Sequence, residues 1–421
     1  MVSARLAIAR HFGLSLHSRN EKSRDWTSSI MNMKRVLSSL PFVLSFAGTL
    51  HGQEPTNPYI VLMESAWAHA QAHGAPVRPV LSPVDATVLN KEVPVSSLHT
   101  AGFRVVPWTT NDPEKMRQQI RMGVDGIISD RPDILQRVLK EERAAASTDA
   151  ERERLATFDV SAHRGGRGLR PENTLPSFES GLDQLSTTLE TDTGVTTDSI
   201  SLIWHDQFLN PESCRKVDGS AYTLENRVYT QDISSVDAQK TFICDKVHFG
   251  ADQKNDIALS PVAVAFAKHE GLISPYVPTY VEQLFRFVKF YADYYRTGAG
   301  KSLPQAKERA DNADRVRFNL ETKIMPEGMG EAMAKAAGAK QIPTDMLKNH
   351  TVGPQKFVDT LCGAITRNHM ESRSEVQSFD FRTLVLVEEQ HPNIPTYYLT
   401  SGSRIFSSEF VPESLRQKAP Q

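Results

Sequence analysis

The sequence predicts an α/β fold with a parallel sheet, and three observations carry the prediction. Short apolar runs alternate with helical patterns along the chain. Each run closes on polar or charged residues. Helix-start signals fall in the gaps between the runs.

In chain order the expected strands are residues 77–82, 103–109, 126–130, 158–163, 187–193, 315–323, 374–379 and 396–399. A shorter run at 200–205 is expected to form a hairpin with 187–193 across the turn Thr197-Asp198-Ser199. Asp112-Pro113-Glu114 opens a helix, with a capping acid and a proline at the first position. Residues 134–156 are charged and alanine-rich and predict a helix running into a solvated connector. Asn173-Thr174 caps another helix carrying Leu175, Phe178 and Leu182. Residues 281–295 are strongly apolar and aromatic and predict a long helix packed on the core. Residues 207–275 are polar with weak periodicity and predict a large insertion on the catalytic face. There is no internal repeat.

A net charge of -2 on 421 residues leaves no basic footprint for nucleic acid or an anionic membrane. Lys34 and Arg35 precede a short apolar stretch at 36–47, followed by small and polar residues. Residues 1–52 are therefore expected to be an N-terminal extension with a secretory signal, translation starting at Met31 or Met33. The stretch is too short for a stable membrane span, and the protein is expected to be periplasmic or secreted. No cysteine spacing resembles a zinc site. Of Cys214, Cys244 and Cys362, the first two share one polar stretch and are the pair an oxidising compartment would join; free thiols are the other reading.

The strand ends carry the chemistry. The run 158–162 ends in His163-Arg164-Gly165, 187–189 in Glu190-Thr191-Asp192, 200–204 in His205-Asp206, and 315–320 in Glu321-Thr322-Lys323. Earlier strands end in Pro107-Trp108-Thr109 and Ser129-Asp130-Arg131. In an α/β barrel that rim holds the active site. Glu190 and Asp192, two apart on a strand, share a face. With Glu321 they offer hard oxygen ligands suited to Ca²⁺ or Mg²⁺. A solvated strand face is the ordinary reading of such spacing, but Leu189 and Val195 make this strand look buried. His163 and His205 fit a general acid–base pair. Arg164 and Lys323 supply positive charge for phosphoryl oxygens.

The ordered set His163-Arg164-Gly165, Pro171-Glu172-Asn173-Thr174, Leu189-Glu190-Thr191-Asp192, His205-Asp206 and Glu321-Thr322-Lys323 resembles the glycerophosphodiester phosphodiesterase family. The resemblance implies a TIM-type (β/α)8 barrel with an insertion after the second family strand, hydrolysing glycerophosphodiesters to glycerol 3-phosphate and an alcohol with a divalent metal. It implies His163 and His205 as catalytic residues and Glu190, Asp192 and Glu321 as metal ligands. It assigns Arg164, Lys323, Glu172 and the aromatic Trp108 to the substrate.

Two features depart from the family pattern. Its usual Asp-Gly turn is Asp198-Ser199 here, and residues 98–135, which resemble the family's end, precede its beginning at His163. Three strands before His163 and five from it onward make eight, so a circular permutation within a single barrel over 53–421 is expected. Residues 58–140 then supply strands 6–8 of the family order, 141–157 the connector, and 158–421 strands 1–5. A tandem or swapped arrangement completed by a partner chain is the alternative, which leaves monomer or swapped dimer open. For function, the alternatives are a lipid phosphodiesterase of the phospholipase D or sphingomyelinase D type, or a non-catalytic binding protein on the same barrel.

Overall fold

The computed structural model describes residues 57–324, 348–402 and 411–416. The proposed signal segment lies outside the described residues.

Seven parallel strands and one extended parallel segment form the sheet, with an antiparallel strand at its side. Its regular strands are β1 (Val80–Pro83), β2 (Gly126–Ser129), β3 (Asp159–Ala162), β4 (Thr188–Val195), β5 (Ser201–Ile203), β6 (Arg317–Thr322), β7 (Ser374–Ser378) and β8 (Thr396–Thr400). The hydrogen-bonded path runs β1-β8-β7-β6-β4-β3-β2, with β5 antiparallel to β4 at its side. Residues 104–108 close the ring. On one side Val106 N and Trp108 N donate to Leu81 O and Pro83 O; on the other Asp125 N and Ile128 N donate to Val105 O and Pro107 O. This is a TIM-type barrel, and the first strand of the chain pairs in parallel with the last, Val80 opposite Tyr397.

The expected strand at 103–109 is an extended segment rather than a regular strand, because Pro107 has no N–H to give to a ladder. The expected hairpin forms, with Thr193 opposite Ile203 and Ser199 taking the left-handed conformation in the turn.

Helices cover the outside as α1 (Pro58–Ala72), α2 (Pro113–Arg121), α3 (Pro132–Ala145), α4 (Asp149–Ala156), α5 (Leu175–Asp183), α6 (Pro261–Glu270), α7 (Val281–Arg296), α8 (Ala306–Ala313), α9 (Pro354–Arg367) and α10 (Phe381–Gln390). Asp112 caps α2 by accepting from Glu114 N and Lys115 N, each at 2.9 Å. Thr174 caps α5. The expected solvated connector is instead helical. Thr148 and Glu151 form a reciprocal capping box that starts α4, an interaction typically stabilising a helix by about 1 kcal/mol. Leu155 of α4 then packs into the main core.

That core lies between sheet and helices. Val160, Leu189, Phe318, Leu320 and Val376 point outward from their strands to meet Phe178, Leu284, Phe287 and Leu361. α7 buries Leu284, Phe287, Val288, Tyr291 and Tyr295, and each fully buried side chain of this size contributes about 1.5–3 kcal/mol. With apolar residues facing out, the period-2 alternation turns polar residues into the barrel.

The insertion is more ordered than its weak periodicity predicts. It holds a disulfide between Cys214 and Cys244 and a small core of Leu209, Ala238 and Phe242 that packs with Trp204 just before it. α6 also falls within it and packs on the main core through Phe266. Among the described residues no helix is long and apolar enough to cross a membrane.

Candidate active site

The inward positions at the C-terminal end of the sheet gather the predicted residues. Register sets Glu190 opposite Asn319, Asp192 opposite Glu321, and Glu321 opposite Gln377. Glu190, Asp192 and Glu321 are all buried, and one carboxylate oxygen from each lies within 4.8 Å of the others.

Each carboxylate has a distinct set of partners. Glu190 accepts from Gln377 Nε2 at 2.6 Å and from the backbone N of Arg164 at 2.8 Å. Asp192 accepts from Asn173 Nδ2 at 2.9 Å, with Arg164 Nε and Lys323 Nζ each 3.2 Å from its oxygens. Lys323 Nζ is 2.6 Å from Glu321 Oε1. Burial, reinforced by Asp192 and Glu321, raises the Glu190 carboxyl well above its usual range. Burial pushes Glu321 up to about 7 although Lys323 works the other way. Burial also opposes charge on Asp192, but Lys323 and Arg164 more than offset it and hold this carboxyl well below the usual range. Three hard oxygen donors crowded together, two of them resisting ionisation in each other's company, fit a divalent cation of the Ca²⁺ or Mg²⁺ kind.

The two histidines have matching support. His163 Nδ1 lies 2.5 Å from Asp130 Oδ1, and its Nε2 lies 3.9 Å from Glu190 Oε2. His205 Nδ1 lies 2.8 Å from Asp206 Oδ1. A carboxylate on Nδ1 leaves Nε2 as the working nitrogen of each ring. Burial, with Arg167 nearby, pushes the His163 imidazole down to about 4. Burial together with Arg164 and Lys323 lowers His205 as well.

Arg164 sits at φ 51° and Gly165 at φ 79°, a sharp turn directly after β3. A Cβ on Gly165 would come within 2.7 Å of the backbone N of Phe178 in α5, so glycine alone fits there. That turn points the Arg164 N–H at Glu190 and its guanidinium at Glu172, 2.8 Å away. Glu172 thus pairs with Arg164 and stands outside the three-carboxylate cluster. Trp108 stands at the same rim, its ring edge-on to Phe379 at 5.2 Å and its Nε1 donating to Ser82 O.

Asp130, Asn173, Arg167 and Gln377 belong to the site without having been assigned to it. Arg167 Nε donates to Asp130 Oδ1 at 2.6 Å and its guanidinium lies over the Phe249 ring at 4.3 Å. The signal for Asp130 and Gln377 was their place at the ends of strands β2 and β7. The insertion reaches this rim: Gln253 donates to the Arg167 and Arg170 carbonyls, and Asp252 pairs with Arg131 at 2.6 Å.

The sequence model of the glycerophosphoryl diester phosphodiesterase family matches residues 14–134 and 163–407, well over half of the chain. This chain belongs to that family. Similar solved structures include a glycerophosphoryl diester phosphodiesterase from Silicibacter pomeroyi, 20% identical with a TM-score of 0.37, the alignment covering 56% of this chain and 63% of that one. An Oleispira antarctica phosphodiesterase in complex with the product sn-glycerol-3-phosphate is 15% identical, with 56% and 64% covered and a TM-score of 0.31. A glycerophosphodiester phosphodiesterase from Agrobacterium tumefaciens is 10% identical, with 59% and 97% covered and a TM-score of 0.24. The chain thus spans less than two thirds of the first two of these relatives. No curated protein matches it.

Proposed function

We propose that this chain hydrolyses glycerophosphodiesters to glycerol 3-phosphate and an alcohol. The observation that carries the reading is the buried cluster of Glu190, Asp192 and Glu321 beside two carboxylate-supported histidines, in a member of this family. Glu190, Asp192 and Glu321 would hold a divalent cation, Ca²⁺ or Mg²⁺, which when bound supplies positive charge to the phosphoryl oxygens.

His163 and His205 divide the proton work. Both imidazoles are held toward the neutral form, so either Nε2 is ready to accept a proton from the attacking hydroxyl or water. Asp130 and Asp206 fix the Nδ1–H tautomer and stabilise the imidazolium formed on proton uptake. The other histidine enters the step as the imidazolium and gives its Nε2 proton to the leaving alcohol, and the proton gained by the base restores that form over the cycle. Arg164 and Lys323 add charge at the phosphate, with Glu172 orienting Arg164. Trp108, braced by Phe379, offers an apolar wall to the glycerol or alcohol moiety.

We further propose that the barrel is a circular permutation of the family order, acting as a monomer. The parallel pairing of β1 with β8 within one chain supports it. Export is proposed from the sequence at 34–53 together with the Cys214–Cys244 disulfide. A strict dimer with no active monomer on size-exclusion chromatography would count against the permuted monomer.

The deciding assay follows glycerol 3-phosphate release from glycerophosphocholine, glycerophosphoethanolamine and glycerophosphoinositol, with Ca²⁺, with Mg²⁺ and with chelator. Cation-dependent release is expected. A cyclic phosphate as product, with the head-group alcohol released, would move the protein to the phospholipase D or sphingomyelinase D type. Inertness under all conditions would favour the binding-protein reading.

A further inference from the structure

We propose a second metal site, of the Zn²⁺ class, built from His69, His73 and Glu389 at the opposite end of the barrel from the active site. His69 lies in the last turn of α1, and His73 is the residue that ends that helix. Glu389 lies in the last turn of α10. One ligand atom from each of the three lies within 4.8 Å of the others.

The tautomers carry the argument. His73 Nδ1 lies 3.0 Å from the His69 carbonyl oxygen, which can only accept, so Nδ1 bears the hydrogen and Nε2 is left with its lone pair. His69 Nδ1 lies 2.8 Å from Glu388 Oε2. Glu388 is itself buried and anchored by Thr396 Oγ1 and the Tyr398 hydroxyl. Both rings therefore have an oxygen acceptor on Nδ1 and present Nε2, the arrangement of outer-shell partners found behind metal-bound histidines.

The spacing fits as well. His69 Nε2 lies 3.3 Å from Glu389 Oε1. Two ligands of a tetrahedral ion with bonds of about 2.0–2.1 Å stand about 3.3–3.4 Å apart. Two histidines four apart share one helix face, and the carboxylate comes from a different helix. The carboxyl ends of α1 and α10 also converge here, and their dipoles favour a cation. In the metal-free protein the hydrogen bond to Glu388 holds the His69 imidazole above its ordinary range, so the metal competes with a proton.

The ligand set separates this site from the mouth. Imidazole nitrogens with one carboxylate select Zn²⁺, Cu²⁺ or Ni²⁺, whereas three carboxylates suit Ca²⁺ or Mg²⁺. A bound ion would tie α1, which precedes the first strand, to α10, which precedes the last, across the pairing of β1 with β8. Its effect is therefore on stability rather than turnover.

The test titrates the full chain with ZnCl2 by calorimetry at mildly alkaline pH, with excess Ca²⁺ present to occupy the mouth, and follows Tm in parallel. The expected result is one Zn²⁺ equivalent and a Tm rise of a few degrees. His73→Ala and Glu389→Gln, both at exposed positions, should each weaken Zn²⁺ binding by about tenfold or more, remove the Tm rise, and leave the Ca²⁺-dependent activity unchanged. Zn²⁺ binding that is absent, or equal in wild type and His73→Ala, overturns the site. Loss in His73→Ala but full retention in Glu389→Gln overturns the cross-helix clasp and leaves a histidine pair on one helix.

Discussion

The two ends of the barrel interior both bury carboxylates against arginines, yet they are wired differently. At the floor, where the strands begin, Asp159 accepts from Thr187 and Thr188 hydroxyls at 2.6 and 2.7 Å and lies 3.1 Å from Arg317. Arg317 turns its other nitrogen to Glu375 at 3.1 Å, and Arg104 lies near both acids. Two buried acids face two cations. Asp125, which lines a cavity of about 390 Å³ there with Arg104, Arg154, Arg315 and Arg317, is satisfied by His99 and the Val105 N–H. At the mouth, Glu190, Asp192, Glu321, Glu172 and Asp130 face Arg164, Arg167 and Lys323. A network without anionic excess holds the barrel closed; an anionic excess in a reachable position calls for a cation. The cavity near the floor is therefore a poorer guide to chemistry than the charge imbalance at the mouth.

The comparison breaks most visibly in catalysis. His163→Ala and His205→Ala should each cut kcat by roughly 10²–10⁴-fold while circular dichroism and Tm stay near wild type. Full activity in either variant would remove that histidine from the mechanism. Asp192→Asn should abolish the dependence of activity on added cation together with the activity itself.

The floor should behave in the opposite way. Arg317→Met leaves Asp159 and Glu375 without their shared partner and should cost about 3–5 kcal/mol in urea unfolding. Activity per folded molecule should be unchanged. A large fall in kcat without loss of stability would mean that the floor takes part in the chemistry.

The smallest effect sharpens the contrast through pH. Glu321 is raised in the metal-free fold to about 7 from an ordinary 4.5. Between those values the folded state binds more protons than the unfolded chain, so metal-free stability should fall as pH rises from about 4.5 to 7 and then level off. Glu321→Gln should flatten that slope, and excess Ca²⁺ should remove it by favouring the ionised form. Urea midpoints across this pH range would check both.

Much of the site was legible because strand ends and strand periodicity are local properties. Glu190 and Asp192 are two residues apart, so alternation alone puts them on one face. The signal for His163-Arg164-Gly165 was also local, but its reason was not: Gly165 is required by the backbone of α5, thirteen residues away in the chain. Asp130 and Gln377 were out of reach as partners, since they meet His163 and Glu190 across 33 and 187 residues. The insertion was underestimated because a disulfide and a small core, rather than a long amphipathic face, order it.

By itself the sequence determined the alternation of strands and helices, the polar rim, and which residue types stand there, because each depends on neighbours within a turn or a strand. The tertiary structure decided that residues 104–108 seal the ring despite Pro107, that Glu190, Asp192 and Glu321 converge within 4.8 Å, and which acid supports which histidine. Those outcomes follow from barrel closure and inter-strand register, which pair segments far apart in the chain and leave no periodic trace in any one of them.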